Sequence, residues 1–242
     1  LGDVYKRQSF DCIEVNEDDI AWATENWTYE NGNIDEGVEF SVVCAPEGYT
    51  YVPDNNFEQA LIDLGYDDVI DNYVVTDNIS GVTSLDVGEK EISDLTGIEG
   101  FTALTSLRCD NNALTSLDVS NNTALTYINC ESNQLTTLDL SANTALTQLN
   151  AGWNQLTSLD VSANTALTSI HIGGGSQSQI TTLDISNNTA LTSLNTQDIL
   201  TLTSLDVSAN TALTYLMVNN CALTSLDVSN NTALINLNCS AN

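Results

Sequence analysis

The sequence predicts a repeat solenoid, a right-handed superhelix of short parallel β-strands and turns entered through a small helical cap. Three observations carry that expectation. First, LTSLDVSNNTA at 114–124 returns as LTTLDLSANTA at 135–145, LTSLDVSANTA at 156–166, ITTLDISNNTA at 180–190, LTSLDVSANTA at 202–212 and LTSLDVSNNTA at 223–233. Second, the copies follow one another every 21 residues, stretched to 24 and 22 at two places, and a fixed period of this length marks stacked coils. Third, one such coil holds only a handful of Leu, Ile, Val and Ala side chains, too few to offset its ordering entropy, so it is stable only when neighbours share a core.

Each period contains two halves on one skeleton. Leu125, Ile128, Cys130, Asn133 and Leu135 fill positions 1, 4, 6, 9 and 11 of L-x-x-L-x-L-x-x-N-x-L, and Leu114, Leu117, Val119, Asn122 and Leu125 fill them in the other half. Positions 4 to 6 alternate apolar, polar, apolar, as a half-buried strand does, and Thr at position 2 favours extended chain. Parallel pairing of successive strands then sets a spacing of about 4.8 Å per coil. This skeleton resembles the leucine-rich repeat family in a tandem half-repeat variety, over roughly two thirds of the chain. The asparagines at position 9 are expected to form inward ladders that satisfy turn backbone groups: Asn122, Asn143, Asn164, Asn188, Asn210 and Asn231 in one, with Asn112, Asn133 and Asn154 beginning a second.

The chain divides by pattern into five parts. Residues 1–8, LGDVYKRQ, resemble translated sequencing-adapter sequence and are set apart. Residues 9–45 begin with a degraded half-repeat (Phe10, Ile13, Val15) and resemble the closing segment of a preceding array in large bacterial surface proteins. Trp22, Trp27 and Phe40 would cover that array's last coil, with sugar stacking by the tryptophans as the alternative. Cys12 and Cys44 bracket a stretch with no core pattern, and a disulfide between them would contribute about 3 kcal/mol. Residues 46–53, with Pro46 and Pro53, read as a linker.

Residues 54–80 read as the cap. Asp54 or Asn55 can cap a helix whose Phe57, Ala60, Leu61 and Leu64 share one face, and Gly65 ends it. Asp67, Asp68 and Asp71 cluster beyond it at a spacing that misses the helix–loop–helix calcium pattern. Residues 81–242 are the array. Val82, Leu85 and Val87 already fit the half-repeat, and ISDLTGIEGFTAL at 92–104 resembles the first repeats of internalin-like proteins. The chain lacks an initiator Met and stops midway through a half-repeat, which reads as a fragment open at both ends.

The formal net charge is −29. Of the acids, 23 fall in residues 9–103 beside Lys90 alone, and 9 in residues 104–242 beside Arg108 alone. Such a surface repels nucleic-acid phosphates and anionic lipid. No run of residues is apolar enough to insert in a membrane. Cys109, Cys130 and Cys239 occupy inward position 6 and Cys221 an asparagine slot, so these four read as small core residues.

Comparing the two halves separates scaffold from candidate surface. The LDVS halves keep Thr, Ser or Thr, Asp and Ser outward in nearly every copy. The intervening halves vary, with Arg108, Asn129, Asn150, His171, Asn195, Met217 and Asn238 at position 5, Tyr127, Gln148 and Tyr215 at position 3, and Trp153 at the adjoining turn. A sheet of about seven strands would present these as a shallow polar surface with scattered aromatics, suited to a protein or glycan partner. Neutral drift on solvated strands is the plainer account.

Asp86, Asp118, Asp139, Asp160, Asp184, Asp206 and Asp227 form a second regular row. At about 5 Å these carboxylates would repel by under 1 kcal/mol per pair in water, offset by Ser or Thr hydroxyls and turn N–H groups, or by bound Ca²⁺ on Asp118 to Asp227. The insertion GGGSQSQ at 173–179 beside His171 reads as tolerated slack or a binding loop. No convergent acid, base and nucleophile occur, and Asn150 and Asn195 flank His171, so no catalytic residue and no cofactor is expected. The resemblance implies a secreted or cell-surface bacterial protein, monomeric, recognising a protein or glycan. A passive spacer in a surface stalk is the alternative.

Overall fold

The computed structural model describes residues 12–14, 39–41, 45–174 and 177–242. Strands β1 (Cys12–Glu14) and β2 (Glu39–Ser41) pair in parallel, with Ile13 opposite Phe40. Cys44, Trp22, Trp27 and the side chain of Cys12 lie outside the described residues, and with them the expected disulfide and tryptophan cover.

The segment read as a linker instead contains a strand. β3 (Tyr49–Tyr51) pairs antiparallel with β4 (Tyr73–Val75), Val52 is fully buried, and the Tyr51 and Tyr73 rings meet at 5.6 Å. The prolines at its two ends punctuate the chain, but Tyr49–Thr50–Tyr51–Val52 between them is β-favouring and aromatic enough to pair.

Helix α1 (Asn55–Asp63) forms because Asp54 caps it, its Oδ1 accepting the amides of Asn56 and Phe57 at 2.9 and 3.1 Å. Phe57, Ala60 and Leu61 are buried in the same apolar cluster as the first coils, and the Phe57 ring lies 6.5 Å from Phe101. The other Asp54 oxygen accepts the Ser93 amide, the Ser93 hydroxyl and the Asp94 amide, tying the helix to the array entry. Leu64 departs from the expected stripe: it caps the helix C-terminus and is 45% exposed. Glu58 is buried, its Oε1 accepting the amides of Asp71 and Tyr73. A one-turn helix, α2 (Thr76–Ile79), follows β4 and buries Ile79.

The array is a β-solenoid. One eight-stranded parallel sheet runs through it. Its strands are β5 (Ser84–Asp86), β6 (Ser106–Arg108), β7 (Tyr127–Asn129), β8 (Gln148–Asn150), β9 (Ser169–His171), β11 (Ser193–Asn195), β13 (Tyr215–Met217) and β14 (Asn236–Asn238). Leu85, Leu107, Ile128, Leu149, Ile170, Leu194 and Leu216 stack in register beneath it, all essentially buried. At the far edge Leu237 is 45% and Ile235 80% exposed.

All these strands come from the intervening halves. The LDVS halves share the apolar skeleton yet, among the described residues, form paired strands at one place only, β10 (Thr182–Leu183) with β12 (Ser204–Leu205), besides a single bond from the Thr157 amide to the Thr136 carbonyl. Their backbone groups are bonded locally: the Asn122 amide donates to the Val119 carbonyl and the Leu125 amide to the Asn122 carbonyl, a turn repeated at Asn143, Asn164, Asn188, Asn210 and Asn231. Without a ladder to draw them together, successive coils leave clefts on this side. One of them, about 390 Å³, is lined by Ser116, Asp118, Ser120, Thr137, Asp139 and Ser141.

Inside, six asparagines form the first ladder. Each amide nitrogen donates twice to carbonyls of the preceding coil, as Asn164 does to Leu140 and Asn143, both at 2.9 Å. Asn112, Asn133 and Asn154 form the second, each amide reaching back to the coil before and each Oδ1 accepting a backbone amide of its own coil or its neighbour. Ser178, Ile199 and Cys221 then take over this slot before Asn242 resumes it, and the Cys221 thiol copies the amide by donating to the Thr196 carbonyl at 3.2 Å.

Candidate functional site

The sheet brings the variable residues onto one face. Cα register places Asp86, Arg108, Asn129, Asn150, His171, Asn195, Met217 and Asn238 in one row. The same register puts Tyr127, Gln148 and Tyr215 in a second row. Gln148 is exposed; Tyr127 and Tyr215 are half-buried, and burial pushes the Tyr127 phenol above its ordinary pKa. Asp86 belongs here, opposite Arg108, and not with Asp118 and its successors where pattern alone had put it: VTSLDVG reads as an LDVS half, but its coil position is that of a sheet strand.

Much of the first row is occupied by the fold itself. Arg108 donates through Nε to Asp110, through Nη1 to Asp86 at 3.0 Å and through Nη2 to Glu89 at 3.3 Å. Hydrogen bonds to Asp110 and Asp86 raise its pKa further, so it stays charged. Asp86, Asn129, Asn195 and Asn238 each accept, through Oδ1, the backbone amide two residues on, at 3.0–3.2 Å. These are Asx turns that end the strand.

The row of Asx turns breaks at Arg108, Asn150, His171 and Met217. The residues two beyond Asn150 and His171 are Gly152 and Gly173, a position filled by Gly88, Asp110, Glu131, Gln197, Asn219 and Ser240 in the other coils. Asn150 makes no Asx turn; its Nδ2 donates to Glu131 Oε2 at 2.8 Å. Asn150 Oδ1 and His171 Nε2 are buried and have no hydrogen-bond partner among the described residues. A β-carbon on Gly152 would overlap the Gly173 carbonyl and come within 3.4 Å of His171 Nε2, so only glycine lets the coils close here.

Trp153 stands beside this break. The turn after each strand has a left-handed residue at one fixed position, filled by Glu89, Asn111, Ser132, Trp153, Gly174, Asp198, Asn220 and Ala241 in successive coils, with φ of 53° at Trp153. Asparagine, aspartate and glycine tolerate that conformation, whereas a bulky side chain there is an outlier. Trp153 is nonetheless 53% exposed, and its indole lies against Gly174, whose own β-carbon would overlap it.

On the opposite side, Asp118, Asp139, Asp160, Asp184, Asp206 and Asp227 each accept the amide of the serine two residues on, at 2.8–2.9 Å. Serine amide and hydroxyl hold all six carboxyls below their ordinary pKa. Repulsion from neighbouring aspartates is a minor opposing cause where it acts at all, as at Asp118 and Asp160. Among the described residues, no three His, Cys, Asp or Glu side chains converge as metal ligands.

No protein-family model matches the chain. Over 72 residues, 30% of its length, it is 40% identical to internalin J of Listeria monocytogenes, and the match spans 8% of that protein. The solved functional domain of internalin J, which includes a cysteine ladder, superposes with a TM-score of 0.62 at 34% identity, covering 80% of this chain and 48% of that one. The chain is a leucine-rich repeat solenoid similar to the internalins. Internalin C2 of the same organism shares the fold, with a TM-score of 0.55 at 16% identity over 81% of this chain and 99% of that one. The chain therefore spans less than half the length of the internalin J domain it matches.

Within this internalin-type array, Cys109 and Cys130 stack on the inward row, followed by Ala151, Ile172, Thr196 and Val218. Burial raises both thiols, Cys130 to about 12, so they pack as apolar groups. Glu131 and Gly152 were missed by the sequence reading, whereas Gly173 and Gly174 entered it only as part of the 173–179 insertion. The available signal was two glycines in adjacent coils at a position that carries a polar side chain in every other coil but the first.

Proposed function

We propose that this leucine-rich repeat module is an extracellular recognition module, secreted or held at a bacterial cell surface, that takes a protein or glycan partner on its strand face. The supporting observation is the contrast within each coil: the LDVS side repeats the same outward residues, while the sheet side carries Tyr127, Gln148, Asn150, Trp153, His171, Tyr215 and Met217 in ordered register. A shallow face of this breadth suits a large partner better than a small molecule. We read residues 54–80 as closing the near end of the stack, and the module as monomeric.

The test is a panel of immobilised glycans and of proteins with differing isoelectric points, probed with wild type and with a combined Tyr127→Ser, Trp153→Asn, Tyr215→Ser variant. The expected result is a reproducible partner that the variant loses while keeping its circular dichroism and melting temperature. Binding unchanged in the variant would overturn the assignment to this face.

The spacer reading keeps one specific observation in its favour. Arg108, Asn129, Asn195 and Asn238 are spent on ion pairs and turns, so part of the sequence variation on the face is structural. A panel with no partner of either class would favour it.

A further inference from the structure

We propose that Trp153, seated on the bulged turn at Gly173 and Gly174, is a stacking platform for one neutral pyranose ring of a glycan partner. This rests on the recognition reading and, of its two partner classes, commits this place on the strand face to a glycan.

Among the described residues, the ladder just past the strands departs from its pattern at one place, and Trp153 is there. In other coils the carbonyl of the outward strand residue accepts one amide, as Asn129 does from Cys109 and Met217 from Thr196, both at 2.8 Å. The Asn195 carbonyl instead accepts two, from Ile172 at 3.0 Å and Gly173 at 3.2 Å. The Trp153 amide is likewise shared, between the Gly173 and Gly174 carbonyls at 3.2 and 2.9 Å. An extra residue has been taken into this strand end, a β-bulge, and bulges re-aim neighbouring side chains. The Trp153 indole lies against Gly174, where any β-carbon would overlap it. Backbone thus props the ring on one side, and the residue is still 53% exposed. The other coils fill this turn position with Glu, Asn, Ser, Gly, Asp and Ala, so the fold asks for no aromatic there. Trp153 is also the one exposed aromatic among the described residues of the array.

The surroundings select a neutral ring. The two coil segments that meet here, 146–155 and 167–179, contain no Asp, Glu, Lys or Arg. The carboxylates of this face lie in other coils: Asp86, Glu89 and Asp110 are paired with Arg108, Glu131 accepts from Asn150 Nδ2, and Asp198 accepts from Asn220. A pyranose presents a patch of C–H groups on one face, whose partial positive charge meets the negative face of an indole. Its hydroxyls stay at the rim, in water. Such a ring needs one flat, fixed surface and no enclosing pocket. A protein anchor gains most in a packed, desolvated pocket, whereas this indole stands on a turn half in solvent. The net charge of −29 opposes an anionic glycan and leaves a neutral one unaffected.

The test is NMR saturation transfer from the full chain to cellobiose, lactose and N,N′-diacetylchitobiose, read on the sugar protons, with open-chain sorbitol and glucuronic acid as comparisons. The expected result is transfer to at least one disaccharide, strongest at the C–H protons of one ring face, with both comparison compounds near baseline. Asparagine already serves at Asn111 and Asn220, so Trp153→Asn keeps the turn. That variant is expected to reduce transfer at least fivefold, and Trp153→Phe to restore part of it. Tyr127→Ser combined with Tyr215→Ser should leave transfer within twofold of wild type. No transfer to any of the three disaccharides, equal transfer in Trp153→Asn, or sorbitol or glucuronic acid matching the sugars would each overturn the platform. A panel protein bound by wild type and by Trp153→Asn, with no transfer to sugar, would leave the recognition reading standing and remove the platform. Transfer that depends on Trp153 beside an empty panel would keep the platform and count against the wider face.

Discussion

The two halves of every coil have the same apolar skeleton and opposite fates. On the sheet side the backbone bonds to its neighbours, as when the Cys109 amide donates to the Asn129 carbonyl and the Thr126 amide to the Thr105 carbonyl. On the LDVS side an Asp–Ser pair and a three-residue turn engage those groups within the coil, and clefts open between coils. The sheet side, fixed by its ladder, can change its outward side chains; the LDVS side depends on its side chains for its shape. That is why Thr, Ser, Asp and Ser repeat there almost without change while Arg108, Asn150, His171 and Met217 differ.

The comparison breaks most visibly in the core. Leu149 lies under the sheet and Leu159 under the LDVS turn of the next half, 2% and 7% exposed. Leu→Ala at either is expected to cost about 2–5 kcal/mol, with Leu149 at the upper end because the hydrogen-bonded sheet above it cannot collapse into the cavity. Urea unfolding checks this, and an equal cost would mean the turn side is as rigid as the sheet. Next in size is Asn164→Ala, which removes two buried hydrogen bonds from carbonyls that keep their turn partners, and is expected to cost about 1–3 kcal/mol. Asn150→Ala, on the sheet face, removes one part-buried bond to Glu131 and should cost well under half of that.

Trp153 sharpens the same contrast. Replacing it with asparagine or glycine removes left-handed strain of about 1–2 kcal/mol, so those variants are expected to match or exceed the wild-type melting temperature. A clear loss of stability would show that the indole's contact with Gly174 outweighs the strain. Stabilisation together with loss of binding would mark a residue retained for its surface and not for the fold.

What was legible in the sequence follows this division. The period, the inward leucines and both asparagine ladders were readable because stacking makes one physical demand recur at fixed positions. Asp54 was readable as a cap, but its second oxygen binding Ser93 and Asp94 was not, since that contact joins elements far apart in the chain. Which half becomes the sheet was also hidden: LDVS and INCE have the same alternation, and only the serine two residues after the aspartate hints that its amide will be captured. Asp86 shows the cost of that ambiguity, since LDV appears in a coil where no such serine follows; Gly88 takes its place and the segment becomes strand β5. The Asx turns of Asn129 and Asn195 hid in the same way, behind residues that looked like free surface.

The smallest expected effect concerns acid. The carboxyls of Asp118 to Asp227 titrate below their ordinary value because serine amide and hydroxyl groups favour the charged form. A carboxyl whose folded pKa is depressed contributes stability above its unfolded pKa, near 3.9, and loses it as pH falls through the folded value. Asp160→Asn keeps an acceptor but removes the charge, so the wild type should be the more stable at pH 7 and its advantage should vanish as pH falls through the depressed folded pKa. Urea midpoints of the two proteins across that range test it. A difference that persists at low pH would mean the Asp160 turn is held by geometry alone, and an advantage for the variant at pH 7 would mean that repulsion from Asp139 and Asp184 outweighs the serine bonds.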